Sequence, residues 1–189
     1  MSMNNQGLGW RDQIESIIVQ GSGINDPSFT AWNAAGNIYA NEFATGKMYE
    51  CWAYVHLNHD YKHGTELYVH VHYLNNNGAA LAGNVQWNFD LTYAKRDSGA
   101  FAATSTVSAV QAVSTTQYTH QVAEVATGLT VADFETDGVL AVRLWRQYGA
   151  ASDNYNDSLW AFKFDVHYQS DHFSTPSKAS DFFDPFDGS

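Results

Sequence analysis

His70 and His72 lie two residues apart in the segment Leu67-Tyr-Val-His-Val-His-Tyr73. Strand side chains point alternately to opposite faces, so His70 and His72 share one face with Tyr68. Leu67, Val69, Val71 and Tyr73 take the other. Two imidazoles on one face can hold a metal, or they can form a polar patch on which another protein sits. Two ligands leave a first shell incomplete. Asp60, His56 and His167 are side chains that could complete it in three dimensions. The expectation is a chain without resident metal or cofactor, with His70 and His72 as the metal candidates.

The spacing Gly64, five residues, His70-x-His72 resembles the opening of the metal-binding cupin motif. The cupin pattern continues with a Glu soon after the second His, where this chain has Asn76 and Asn77. It then needs a downstream Pro-x-Gly-x-x-His, and Pro27, Pro176 and Pro185 are not placed to supply one. A cupin-like metal-dependent enzyme is therefore an alternative, and a non-enzymatic chain is the main expectation. Hydrolytic chemistry has equally little to build on. Asp153 and Asp157 lie in a loop, and Glu66, Asp90 and Asp165 lie on polar strand faces. Nothing in the sequence pairs two of them across a cleft, as a glycosidase requires. No Gly-x-Ser-x-Gly or P-loop motif is present. Trp52, Tyr54, Tyr68 and Trp145 could form an aromatic platform for a sugar, or fill a core or a subunit contact.

The elements that must position these residues read as strands. Val85, Trp87, Phe89, Leu91 and Tyr93 alternate strictly with Gln86, Asn88, Asp90 and Thr92, the pattern of a half-buried antiparallel strand. Similar runs cover 49–58, 65–74, 117–125, 139–147 and 159–169, with shorter candidates at Phe29–Trp32 and Ile38–Phe43. In the last long run Trp160, Phe162, Phe164, Val166 and Tyr168 alternate with Ala161, Lys163, Asp165 and His167. Turn-forming clusters separate the runs, among them Asn75–Gly78, Lys95–Gly99 and Thr136–Gly138. Leu129–Phe134 reads as one helical turn with Thr130 as its cap. About eight strands without long helices predict an all-β fold, an antiparallel β-sandwich of jelly-roll type with extended terminal arms. Residues 1–23 read as an N-terminal arm or first strand, 24–170 as the sandwich, and 171–189 as a C-terminal arm.

The chain has 189 residues, 15% of them aromatic, and a formal net charge of -11. That charge argues against nucleic acid, whose phosphates need clustered Lys and Arg. No apolar run is long enough to span a bilayer. The start, Met1-Ser-Met-Asn-Asn-Gln-Gly, lacks the basic and apolar regions of a signal peptide. The single cysteine, Cys51, excludes an internal disulfide and suits a reducing compartment.

Several short segments appear together in one order: Trp10-Arg-Asp, Gly21-Ser-Gly-Ile-Asn-Asp-Pro-Ser-Phe29, and His59-Asp-Tyr-x-x-Gly-Thr-x-Leu-Tyr-x-His-Val-His72. Gln117–Glu124, Arg143-Leu-Trp-Arg146 and Asp165–Lys178 follow. Together they resemble a group of tailed-bacteriophage virion proteins of similar length. The resemblance implies a structural virion component with a jelly-roll body, assembled in the host cytoplasm and carrying no activity. It points first to a capsid decoration (cement) protein that self-associates, with a trimer as one option, and binds capsid subunits. A neck, collar or tail attachment protein is the alternative position, and a carbohydrate-binding jelly-roll module adhering to host glycans is the alternative role. Interface candidates are Trp10, His59, Tyr61, Tyr68, His70 and His72 on the body, and Phe182, Phe183 and Phe186 on the C-terminal arm. Those phenylalanines, set among Asp181, Asp184 and Asp187, have the character of anchors that fill pockets on a partner.

Overall fold

The computed structural model describes residues 9–19, 25–33, 35–77, 81–96, 100–129 and 134–170. The C-terminal arm, with Phe182, Phe183 and Phe186, lies outside the described residues, as does most of the helical turn expected at 129–134. Among the described residues there are ten strands: β1 (Gly9–Glu15), β2 (Ser28–Ala31), β3 (Tyr39–Phe43), β4 (Met48–His56), β5 (Leu67–Asn75), β6 (Asn84–Ala94), β7 (Ser105–Ala112), β8 (His120–Glu124), β9 (Val139–Gln147) and β10 (Leu159–Ser170). All named pairings are antiparallel.

The topology is a jelly roll. β6 pairs β7, β5 pairs β8, β4 pairs β9 and β3 pairs β10, so the chain from β3 to β10 is one long hairpin of strand pairs. Pairings of β10 with β5 and of β6 with β9 join these into two sheets. One sheet has the order β2-β3-β10-β5-β8 with β1 added against β10; the other has the order β4-β9-β6-β7. One edge of β10 serves two partners. Its first residues, Leu159–Ala161, pair β3, and its last part, Phe164–Ser170, pairs β1. The segment expected as an arm or first strand is thus a strand over Gly9–Glu15, hydrogen-bonded into the six-stranded sheet.

The core lies between the sheets. Val85, Trp87, Phe89, Leu91 and Tyr93 of β6 all face inward, as their alternation requires. Asn88, on the opposite face, is also buried, because Ser108 Oγ and Gln86 Nε2 both donate to its side-chain oxygen. Leu67, Val69, Val71 and Tyr73 of β5 meet this layer from the other sheet, with Phe164, Val166 and Tyr168 of β10. Burying this apolar surface stabilises the fold at about 25 cal/mol per Å².

Two features depart from simple alternation. Arg146 of β9 points inward with Leu140, Val142 and Leu144, and is 1% exposed. Its five N–H groups are all used. Nε and Nη2 donate to the Asp153 carboxylate at 2.8 and 2.9 Å, Nη2 also donates to Tyr155 O, and Nη1 donates to Phe43 O and Asp157 O. A buried guanidinium is tolerated only when its donors are satisfied in this way. Asp153, read from the sequence as a loop acid, is its counter-ion.

The second departure is in β10. The register against β5 shifts between Ala161 and Lys163, a β-bulge. A bulge inserts one residue and changes which parity faces the core. Leu159 and Ala161 face inward before it, and Phe164, Val166 and Tyr168 after it. Trp160 and Phe162, expected on the same face as Phe164, therefore lie on the outer face. There Trp160 packs with Ala40 and Leu74 in a second apolar cluster that Trp32 and Phe162 flank.

Candidate functional site on the outer face of the six-stranded sheet

Antiparallel register brings distant residues side by side. Asp165 of β10 is directly opposite His70 of β5, and His70 is directly opposite Glu124 of β8. One step along, His167 is opposite Tyr68 on one side and Asp12 of β1 on the other. At the other end Leu74 is opposite Trp160 and His120. All these side chains project from the outer face, away from the inter-sheet core.

The centre of this face is a cluster of imidazoles and carboxylates. The Nε2 atoms of His70 and His72 are 3.2 Å apart. Asp165 Oδ2 is 3.5 Å from His70 Nε2 and 3.0 Å from His72 Nε2. His72 Nδ1 lies 2.8 Å from His120 Nε2, and the two rings stack with centroids 5.0 Å apart. His167 is gripped on both ring nitrogens, by Asp12 and by Glu124. Its ring lies against His70, with centroids 4.2 Å apart. His70 and Asp165 are 1% and 3% exposed, whereas the His72 side chain keeps 21% exposure.

The electrostatics follow from these contacts. Burial opposes charge on His167, but the two carboxylates outweigh it and raise its pKa to about 9. Burial holds His70 below its ordinary value, against the pull of Asp165. His120 is lowered by burial and then by His72. Burial would raise Asp165, yet His70 and His72 hold it down at about 2. His167 is thus held toward its charged form between two carboxylates, and Asp165 toward its ionised form beside His70 and His72.

The cluster borders a depression of about 350 Å³ lined by Trp32, Ile38, Leu74, Tyr118, His120 and Phe162. Trp32 and Tyr118 have ring centroids 5.6 Å apart, and Phe162 lies 5.5 Å from His120. At the opposite end Trp10 meets Tyr68 edge-on at 5.6 Å. From Tyr68 to Leu74, β5 covers about 20 Å. Aromatic groups therefore bracket the polar centre.

The residues singled out from the sequence fall in different places. His70, His72, Tyr68 and Trp10 converge on this face. His70, however, is buried by its neighbours and offers no surface of its own. Tyr61 is also buried, at 2% exposure, where it packs against Tyr168 and Phe134 and donates to Thr65 O. It is a core residue because the turn Asn58–Gly64 folds back on β10, with Lys62 N donating to Gln169 O. His59 is exposed and pairs with Asp137, as does His56. Asp60 accepts from Tyr168, Ser170 and Arg11. Of the three residues named to complete a metal shell, only His167 reaches the cluster, and it is engaged by carboxylates. Asp165 takes the third position, and Asp12, Glu124 and His120 surround it. Their outward parity was legible in part; their proximity was not. The proposed platform of Trp52, Tyr54, Tyr68 and Trp145 is split. Trp52, Tyr54 and Trp145 lie on the other sheet, beside an Arg143 that is tied to Glu50 and Asp90.

No family model matches the chain. No curated protein matches it. Among solved structures, the CBM22-2 xylan-binding domain of Paenibacillus barcinonensis Xyn10C is 10% identical with a TM-score of 0.39, over 88% of this chain and 93% of that one. TmCBM61, in complex with β-1,4-galactotriose, is 11% identical with a TM-score of 0.34, over 87% and 95%. Dimeric latent PorU of Porphyromonas gingivalis is 12% identical with a TM-score of 0.38, over 87% of this chain and only 13% of PorU.

Proposed function

We propose that this protein is a non-catalytic binding module, and that the outer face of its six-stranded sheet takes a neutral oligosaccharide. The observation that carries the reading is the continuity of that face. An aromatic depression at Trp32, Tyr118 and Phe162 runs into planar polar groups at His120, His72 and Asp165. Sugars need both elements together. Their C–H faces pack on aromatic rings, and their hydroxyls pair with imidazole and carboxylate groups, the mixed lining typical of small-ligand sites. The carboxylates of Asp12, Glu124 and Asp165 disfavour an anionic glycan.

The setting we propose is a bacteriophage virion. The segments that resemble tailed-phage virion proteins include those that build this face: Trp10–Asp12, His59–His72, Gln117–Glu124 and Asp165 onward. On a particle the face would hold host-surface glycan, while self-association and attachment to capsid or neck proteins belong to the same proposal.

The test is an array of neutral oligosaccharides probed with the full chain, followed by calorimetry on any hit. Trp32→Ala and Phe162→Ala should each weaken binding by about tenfold, equivalent to ~1.4 kcal/mol. Tyr54→Ala, on the other sheet, should leave it unchanged. Failure of the wild type to bind any neutral glycan would overturn the reading, and so would binding indifferent to both outer-face variants.

A further inference from the structure

We propose that His70, His72 and Asp165 form a site for one divalent transition-metal ion on the outer face of the six-stranded sheet. The inference shares His72 and Asp165 with the proposed sugar-binding face but needs no sugar, and it reverses the expectation of a metal-free chain. It rests on three observations.

The first is the triangle of donor atoms. His70 Nε2, His72 Nε2 and Asp165 Oδ2 are separated by 3.2, 3.5 and 3.0 Å. An ion about 2.1 Å from each ligand needs ligand–ligand separations of about 3.0 Å in octahedral and about 3.4 Å in tetrahedral geometry. The observed edges span that interval. Two imidazoles and one carboxylate also leave the remaining positions of such an ion open.

The second observation is hydrogen-bond accounting. A proton shared along one edge of the triangle satisfies only two of the three atoms. If both imidazoles aimed N–H at Asp165 Oδ2, their nitrogens, 3.2 Å apart, would crowd each other. A cation satisfies all three lone pairs at once. His70 and Asp165 are the two most buried members of the triangle, 1% and 3% exposed, so bulk water is a poor substitute partner for their facing atoms.

The third observation is the surrounding shell. Ligating histidines usually engage a second group through the other ring nitrogen. His72 does so with His120 at 2.8 Å. His70 Nδ1 has Glu124 Oε2 nearby but beyond hydrogen-bond reach, at 3.9 Å. The face is carboxylate-rich, which draws a cation toward it. Imidazole donors select a first-row transition ion over calcium or magnesium, which prefer all-oxygen shells.

The experiment is a titration of chelator-treated full-length protein, without sugar, using Zn²⁺ and Co²⁺ as probes and Ca²⁺ as the comparison. The expected result is saturation at one ion per chain, visible Co²⁺ absorption from nitrogen ligands, and no Ca²⁺ binding in the same range. His72→Ala and Asp165→Asn should each lose at least about 100-fold in affinity. His120→Gln should lose about tenfold, in the range of an outer-shell partner. His56→Ala and His59→Ala, whose side chains pair with Asp137 and not with the triangle, should bind like wild type. Circular dichroism of each variant establishes folding, and His72→Gln replaces His72→Ala if the latter misfolds. The proposal is overturned if the wild type saturates below one ion per chain, or if full binding survives in folded His72 and Asp165 variants. Because no glycan is present, either outcome leaves the oligosaccharide reading to its own test.

Discussion

Asp60 shows how one side chain in the most conspicuous turn of the chain acts. It does not line the candidate site. It ties the turn to β10 and β1, accepting from Tyr168, Ser170 and Arg11. Burial would raise its pKa, but these partners outweigh it and hold the carboxyl below its usual 3.8. A carboxylate whose pKa is depressed on folding contributes stability that is fully present above the unfolded value. That stability is lost as pH falls through the folded value. Wild-type stability should therefore drop on acidification below pH 3.8, and Asp60→Asn should be less stable at neutral pH and flatter across the acid range. Urea midpoints for both proteins at about pH 7, 5 and 3 check this. Equal slopes in the two proteins would refute it.

At the scale of the element, the bulge in β10 decides the composition of the outer face. The strand must satisfy β3 and β5 over Leu159–Ala161, then β5 over Lys163–Tyr168 and β1 over Phe164–Ser170. Without the extra residue, one half would present the wrong face. Deleting Phe162 should turn Asp165 and His167 toward the core, at a cost of several kcal/mol each for unpaired polar groups. Together that is comparable to a typical folding margin, so the deletion should give an unfolded or insoluble chain. Phe162→Ala keeps the length and the phase and should fold. Near-ultraviolet dichroism of the two variants distinguishes lost length from a lost side chain. A native-like deletion variant would show that the bulge can migrate.

At the scale of the whole molecule, the two sheets protect what lies between them. Cys51 is fully buried in the core, and burial pushes its thiol well above the ordinary value, with Glu50 adding to the effect. A thiol in that state reacts only after the sandwich opens. Labelling by a thiol reagent should be slow in native buffer, and its rate should follow the global unfolding free energy as urea is added. Fast labelling independent of urea would mean that β4 separates from the core on its own.

The strand periods alone determined the all-β class and the two faces of β5 and β6. Their alternation is dictated by backbone geometry, whatever the neighbours. The same period placed His70, His72, Asp165 and His167 outward, one strand at a time. It could not say which strands lie side by side, because face is a local property and adjacency is set by the jelly-roll winding. Only the tertiary structure put Asp165 between His70 and His72 and locked His167 between Asp12 and Glu124. Trp160 and Phe162 escaped the period for a related reason. A bulge adds a residue without leaving a mark in the alternation, and it is held by partners on both edges of β10. Tyr61 was hidden in the opposite sense, as a turn residue that the fold draws into the core. The arrangement of this face was decided by register, and register follows from which sheets pack rather than from any one strand.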